Sequence, residues 1–259
     1  PDMASELLKR SEVKEENTWN VKDMYATQED WEQELKDISE IIDRVAAFEG
    51  KAAGNAQNLF TVLENLAKAG EKLDKAYNYA ERLFDEDQTN TTHQAMSAKA
   101  YSAYASCGSK TAFVDPEIIA IPENVLETFY KEVPGLELYR KQIAEIRRMK
   151  EHCLSSEMEK LLAMTAEMSQ TPADTFSILN NADLVFPEIK DENGESVRIT
   201  HGRYGQFLQS SDRRVRKEAF EKLYQTYKQF LNTSASLYSG NIKQQVFHAK
   251  ARKYVSSLE

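Results

Sequence analysis

Residues able to do metal or nucleophile chemistry are few: four histidines (His93, His152, His201, His248) and two cysteines (Cys107, Cys153) in 259 residues. Hydrolysis by zinc calls for two His one turn apart on a helix, with a Glu between them to activate water. None of the four has a His, Cys, Asp or Glu three or four residues away on either side, so none begins such a set. Adjacent His152 and Cys153 would point in different directions on a helix and make a poor chelate. Cys107 has only Lys110 nearby to lower its pKa, and it reads as a thiol rather than a nucleophile. No G-x-x-x-x-G-K-[ST], G-x-G-x-x-G or G-x-S-x-G spacing occurs, which leaves phosphate-loop, dinucleotide and nucleophile-elbow chemistry without support. The chain is therefore expected to carry no catalytic residue, no cofactor-binding residue and no metal ligand of its own.

Composition bounds the scaffold. Apolar residues are 41% and charged residues 29%, as in ordinary globular proteins. With only 9 Gly and 6 Pro, turns are scarce, which favours long helices over many short strands. Nothing approaches the roughly 20 consecutive apolar residues that cross a bilayer, and the charged amino terminus lacks the apolar core of a secretory signal. Two distant cysteines without an export signal read as reduced thiols, and the expected location is cytoplasmic. The net charge of −9 is uneven, because residues 198–259 hold twelve of the 33 Lys/Arg but four of the 42 Asp/Glu. That step marks a candidate boundary. The basic segment reads most simply as docking on acidic surface of the same protein. Nucleic acid is the alternative, opposed by the lack of any zinc-finger or RNA-recognition signature and by the overall negative charge.

Apolar periodicity predicts the elements. Trp31, Leu35, Ile38, Ile42 and Val45 form one stripe on a helix capped by Thr27 or Asp30 and ended by Gly50 and Gly54. Leu59, Val62, Leu66, Ala69, Leu73, Ala76, Ala80 and Leu83 repeat that rhythm, with a break expected at Gly70. A third helix over about 92–113 is rich in small residues that permit close packing. Pro116, Pro122, Pro134 and Pro172 are each expected in the first turn of a shorter helix. Ser155 caps a further stripe of Met158, Leu161, Leu162 and Met168, read as core filler rather than a cofactor box. Over Val185–Thr200 the period changes around Asn193-Gly194, two residues that tolerate positive φ, so a small β-hairpin is predicted there. Val215, Ala219, Leu223, Tyr227 and Phe230 then restore the helical period, and a last stripe runs on almost to Leu258 without a Gly or Pro stop. The fold class is all-α: a multi-helix bundle with long antiparallel helices and one hairpin near 185–200. The cluster RVRK at Arg214 to Lys217 reads as a solvated helix face pairing with Asp212, Glu218 and Glu221, the alternative being a contact to a peptide carboxylate or another lobe.

The stretch RYGQFLQSSDRRVRKEAFEKLY, Arg203 to Tyr224, resembles the start of the catalytic region in the oligoendopeptidase F family, cytosolic zinc endopeptidases of the thimet-oligopeptidase superfamily. NIKQQVFHAKARKYVSSLE, from Asn241, continues the pattern with Lys243, Ala251, Arg252 and Tyr254. Leu7 to Tyr25 is similar to that family's opening segment, with Trp19, Asp23 and Tyr25, and the hairpin residues Phe186, Pro187 and Gly194 fit as well. This resemblance implies a peptidase with a deep groove that admits oligopeptides and excludes folded proteins. It implies zinc on an HExxH helix plus a later Glu, all expected beyond Glu259, with the HExxH Glu as general base. Residues 1–197 would be an amino-terminal helical domain and 198–259 the beginning of a catalytic domain. The expected partners are an oligopeptide substrate and the remaining catalytic lobe, with self-association of this chain when alone, and with no nucleic acid and no membrane. The chain alone is expected to be inactive. A complete, non-enzymatic helical interaction module is the rival reading.

Overall fold

A computed structural model describes residues 10–258; Leu7, Leu8 and Lys9 of the opening segment, and Glu259, lie outside the described residues. The described residues divide into two compact units, one of residues 10–19 and 172–241 and the other of residues 20–171 and 242–258. The fold is predominantly helical, with one two-stranded antiparallel sheet among the described residues.

The larger unit begins with three long helices, α1 (Gln28–Ala46), α2 (Ala56–Glu86) and α3 (Thr91–Thr111). Each start is fixed by a side-chain oxygen: Thr27 accepts from the Asp30 N–H, Asn55 from that of Asn58, and Asn90 from those of Thr92 and His93. All five predicted α1 stripe residues are buried. Trp31 is fully enclosed, and its indole N–H donates to the Ala76 carbonyl of α2 at 3.0 Å. Because Lys72 pairs with Glu34 farther along α1, the two helices run antiparallel. Pairs Lys99–Glu32 and Lys110–Asp43 hold α3 alongside α1 in the parallel sense. Close approach uses small side chains, with Ala76, Ala80 and Ala100 fully buried. The expected break at Gly70 does not occur, since α2 continues through it. Neighbouring Ala69 and Leu73 are buried in the α1–α3 core, and that packing outweighs the roughly 1 kcal/mol helix cost of one glycine.

Shorter helices follow: α4 (Val114–Ala120), α5 (Glu123–Glu132), α6 (Arg140–Arg148) and α7 (Ser156–Met164). Of these, α4, α5 and α6 close a second core around Leu59, Leu63, Ile118, Leu136 and Ile143. Pro116 lies early in α4, Pro122 directly precedes α5, and Pro134 opens a 3₁₀ turn. Pro172 departs from expectation: it lies inside α8 (Ala166–Ile178), not in its first turn. Another departure concerns the Met158/Leu161/Leu162/Met168 stripe. Ser155 does cap α7, but only Leu162 of the four is buried. Met158, Leu161, Met164 and Met168 are each more than half exposed.

In the smaller unit, β1 (Glu188–Lys190) pairs with β2 (Ser196–Arg198), Ile189 opposite Val197. Gly194 takes φ +82°, whereas Asn193 does not enter the positive region. Buried Asp191 organises the loop, its Oδ1 accepting the N–H groups of Asn193 and Glu195 at 2.8 Å each. One face of the hairpin packs on α9 (His201–Leu208) and α10 (Arg213–Gln229) through Phe207, Val215, Ala219 and Leu223. The RVRK residues pair locally as expected: Arg214 with Asp212 and Glu218, Lys217 with Glu221. Arg214 also donates to the carbonyls of Lys190 and Asp191, tying α10 to the hairpin.

The last helix, α11, spans Leu231–Ala251 and does not run on towards Leu258. Lys253 adopts φ 62°, Tyr254 N–H donates to the Ala249 carbonyl, and Lys253 N–H to that of Lys250. This is a Schellman stop made without glycine, which a search for Gly or Pro overlooks.

Candidate functional site

The larger unit contains a cavity of about 670 Å³ that gathers ionisable groups from four places in the chain. Asp115 comes from the first turn of α4, His152 and Cys153 from the turn after α6, Glu159 from α7, and Arg252 and Tyr254 from the end of α11. The geometry starts at the cap of α7. Ser155 takes the Met158 N–H, and the Glu159 carboxylate reaches back to the Leu154 N–H at 2.9 Å. Arg252 then grips both Glu159 oxygens, at 2.7 and 2.6 Å. The His152 ring lies 3.8 Å from that of Tyr254 and nearly parallel to it, with Nδ1 at 2.9 Å from the Arg252 carbonyl oxygen. The positive φ of Lys253 turns the chain so that Tyr254 can make this stack.

Electrostatics divide these groups. Glu159 is buried, but its charge is matched by Arg252. Asp115 lines the cavity as a solvent-exposed residue, and no hydrogen bond or ion pair holds its carboxyl among the described residues. Desolvation, and then the negative charge of Glu159, raise its pKa above the usual carboxylate value, against the opposing pull of Arg252. Burial first, then Glu159 and Asp115, push the Cys153 thiol up to about 11. Burial likewise raises Cys107, outweighing Lys110. Both sulfurs are thus poor thiolates at neutral pH. Neither thiol is therefore an activated nucleophile.

The residues singled out in the sequence are scattered. His152 and His248 line the cavity, but His152 and Cys153 lie in a turn rather than on a helix. His93 sits in the first turn of α3 with Nδ1 buried and without a hydrogen-bond partner. In the smaller unit, His201 opens α9 and meets the Phe186 ring edge-on at 5.2 Å. Among the described residues no group of three or more His, Cys, Asp or Glu is placed to hold a metal ion. Of the opening segment, Trp19 is exposed, while Tyr25 is buried edge-on to Tyr79 with Lys75 over its ring. Burial, and then Glu34, push the Tyr25 hydroxyl up to about 12. Arg252 and Tyr254 stood out by pattern. Glu159 did not, and the partner of His152 was equally hidden, since nothing local signals a contact 93 or 100 residues away.

Residues 117–186 match the model of the family described as Oligopeptidase F. Oligopeptidase PepF of Bacillus subtilis is 41% identical over 99% of this chain, which covers 38% of that protein. Group B oligopeptidase PepB of Streptococcus agalactiae is 36% identical over 96% of this chain, covering 42% of its own length. The crystal structure of oligoendopeptidase-F from Enterococcus faecium superposes with a TM-score of 0.84 at 38% identity, over 88% of this chain and 44% of that one. The chain thus spans about two fifths of the length of the curated relatives it matches.

Proposed function

From a chain that is a relative of the oligoendopeptidase F proteins along nearly its whole length, we propose that it forms the amino-terminal portion of a cytoplasmic zinc endopeptidase cleaving oligopeptides. The observation that carries this reading is the alignment over 96–99% of the chain with proteins named oligopeptidases. In this proposal residues 1–197 build a helical wall and cap that limit substrate size, and residues 198–259 begin the catalytic domain. In the same proposal, zinc, the HExxH ligands and the general base would be supplied by chain outside these 259 residues. The described residues do not fit a zinc site, so no hydrolytic step is assigned to them.

Support for a covering lobe comes from α7 and the start of α8. Met158, Leu161, Met164 and Met168 follow one another at three- and four-residue spacings and stay exposed, as expected of a surface that another part of the protein covers. Alone, the chain would self-associate through such surface. Neither a nucleic-acid nor a membrane partner is proposed; no described helix is long and apolar enough to cross a membrane.

The test uses quenched-fluorescent oligopeptides and folded protein substrates. A protein extending this chain through an HExxH helix should cleave the peptides only, in a chelator-sensitive way, and the 259-residue chain should be inert with added zinc. Chelator-sensitive cleavage by this chain alone would overturn the division of labour. Inactivity of the extended protein would favour the non-enzymatic module.

A further inference from the structure

We propose that α11 carries a docking face for the exposed stripe of α7 and α8, and that the occupant is a second copy of this chain, joined head to tail. Leu231, Ala235, Tyr238 and Ile242 follow one another along α11 at intervals of four, three and four residues, the spacing of a coiled-coil seam. All four are exposed, Leu231 by 63% and Tyr238 by 70%. A seam of this spacing fits another helix laid along it, and the chain offers one elsewhere. Met158, Leu161, Met164 and Met168 on α7 and α8 are exposed at three- and four-residue spacings. Their flexible thioethers can pack around an aromatic ring such as that of Tyr238.

Charge decides which faces pair. From Lys222 to Leu258 every charged residue is basic, and exposed Lys228 and Lys243 flank the seam in sequence. Two seams brought together would set lysine against lysine. The stripe is flanked instead by exposed Glu157 and Glu167, against one exposed lysine, Lys160. Seam on stripe therefore places opposite charges at the rim of an apolar contact. Such a contact joins unlike faces, so each end of a pair keeps one free face and further copies can add. This inference rests on the self-association proposed above and supplies its second face; its test involves no cleavage, so the peptidase reading stands or falls apart from it.

The experiment is sedimentation velocity of the whole chain over a concentration series, with Met164→Glu and Tyr238→Glu as variants. Both side chains are exposed, so the fold should survive, which circular dichroism checks. If either variant unfolds, Leu161→Glu or Leu231→Glu replaces it on the same face. The unaltered chain should grow through successive oligomers as concentration rises. Each variant alone should associate more weakly by roughly tenfold or more, because a carboxylate now enters an apolar contact. Mixing the two variants should restore a one-to-one dimer that grows no further. In that mixture the intact seam of the Met164→Glu copy receives the intact stripe of the Tyr238→Glu copy, and the two spoiled faces remain. A monomeric unaltered chain would overturn both this pairing and the self-association. Undiminished association in either folded variant, a closed dimer of the unaltered chain, or two variants that fail to pair on mixing would overturn the pairing while leaving self-association in place.

Discussion

Arg252 meets Glu159 through two N–H···O bonds of 2.7 and 2.6 Å, joining positions 93 residues apart. The Glu159 side chain is 9% exposed and that of Arg252 35%, so the pair is buried at its acidic end and open at its basic end. Paired in this way, the carboxylate tolerates an apolar setting it could not otherwise occupy. The same contact holds Arg252, and with it the turn to Tyr254, against the start of α7.

Arg252→Ala should therefore destabilise the fold by about 2–3 kcal/mol, because Glu159 would keep its charge with only the Leu154 N–H to stabilise it. Glu159→Gln should cost less, since the amide oxygen still accepts one of the bonds. Urea unfolding of the two variants and the double variant measures the coupling. A loss below about 0.5 kcal/mol for Arg252→Ala would mean the pair behaves as an exposed surface bridge.

Lys253 holds φ 62° where glycine is usual at a helix stop. For a side chain with a Cβ the left-handed region costs roughly 1–2 kcal/mol, and glycine's looser unfolded state gives back part of that. Lys253→Gly should raise stability by about 0.5 kcal/mol net. Thermal unfolding checks the sign, and a lowered melting temperature would show that the lysine makes a compensating contact.

Much of the fold could be read from spacing. The stripe from Trp31 to Val45 is buried as its three- and four-residue intervals require, and Asn193-Gly194 sits in the hairpin loop it signals. Local charge pairing of Arg214 and Lys217 was equally legible, because partners one turn away are visible in sequence. The misses have a common cause: tertiary packing overrides local tendency. Gly70 stays helical because its neighbours are packed, and α7 keeps its apolar stripe exposed because periodicity reports a face without naming what covers it. The cavity was illegible for the same reason. Asp115, His152, Glu159 and Arg252 converge through the paths of four helices, and no window of sequence contains that convergence.

Cys153 should alkylate slowly at neutral pH. With its pKa near 11 rather than the ordinary thiol's 9.0, the thiolate at pH 7 is scarcer by about a hundredfold. The sign follows from burial and two carboxylates, all of which disfavour the anion. Iodoacetamide labelling followed by mass spectrometry should show a Cys153 rate still rising as pH approaches 11. A rate that levels off before pH 9 would contradict the neighbouring charges assigned here.

Gly135 sits where a Cβ would come within 2.6 Å of Phe60 Cε2 and 3.0 Å of its Cζ. Phe60 is not free to retreat, since its ring meets Tyr139 at 6.3 Å and packs on the core around Leu136 and Ile143. Gly135→Ala should thus cost about 1–3 kcal/mol through overpacking rather than through backbone strain. The distinction is testable, because a smaller residue at position 60 removes the clash but leaves the backbone unchanged. Phe60→Leu should destabilise the native chain by itself, yet cost less in the Gly135→Ala background, giving a favourable coupling of about 1 kcal/mol in a double-mutant cycle. Strict additivity of the two changes would place the penalty in the backbone of the turn and remove the steric explanation.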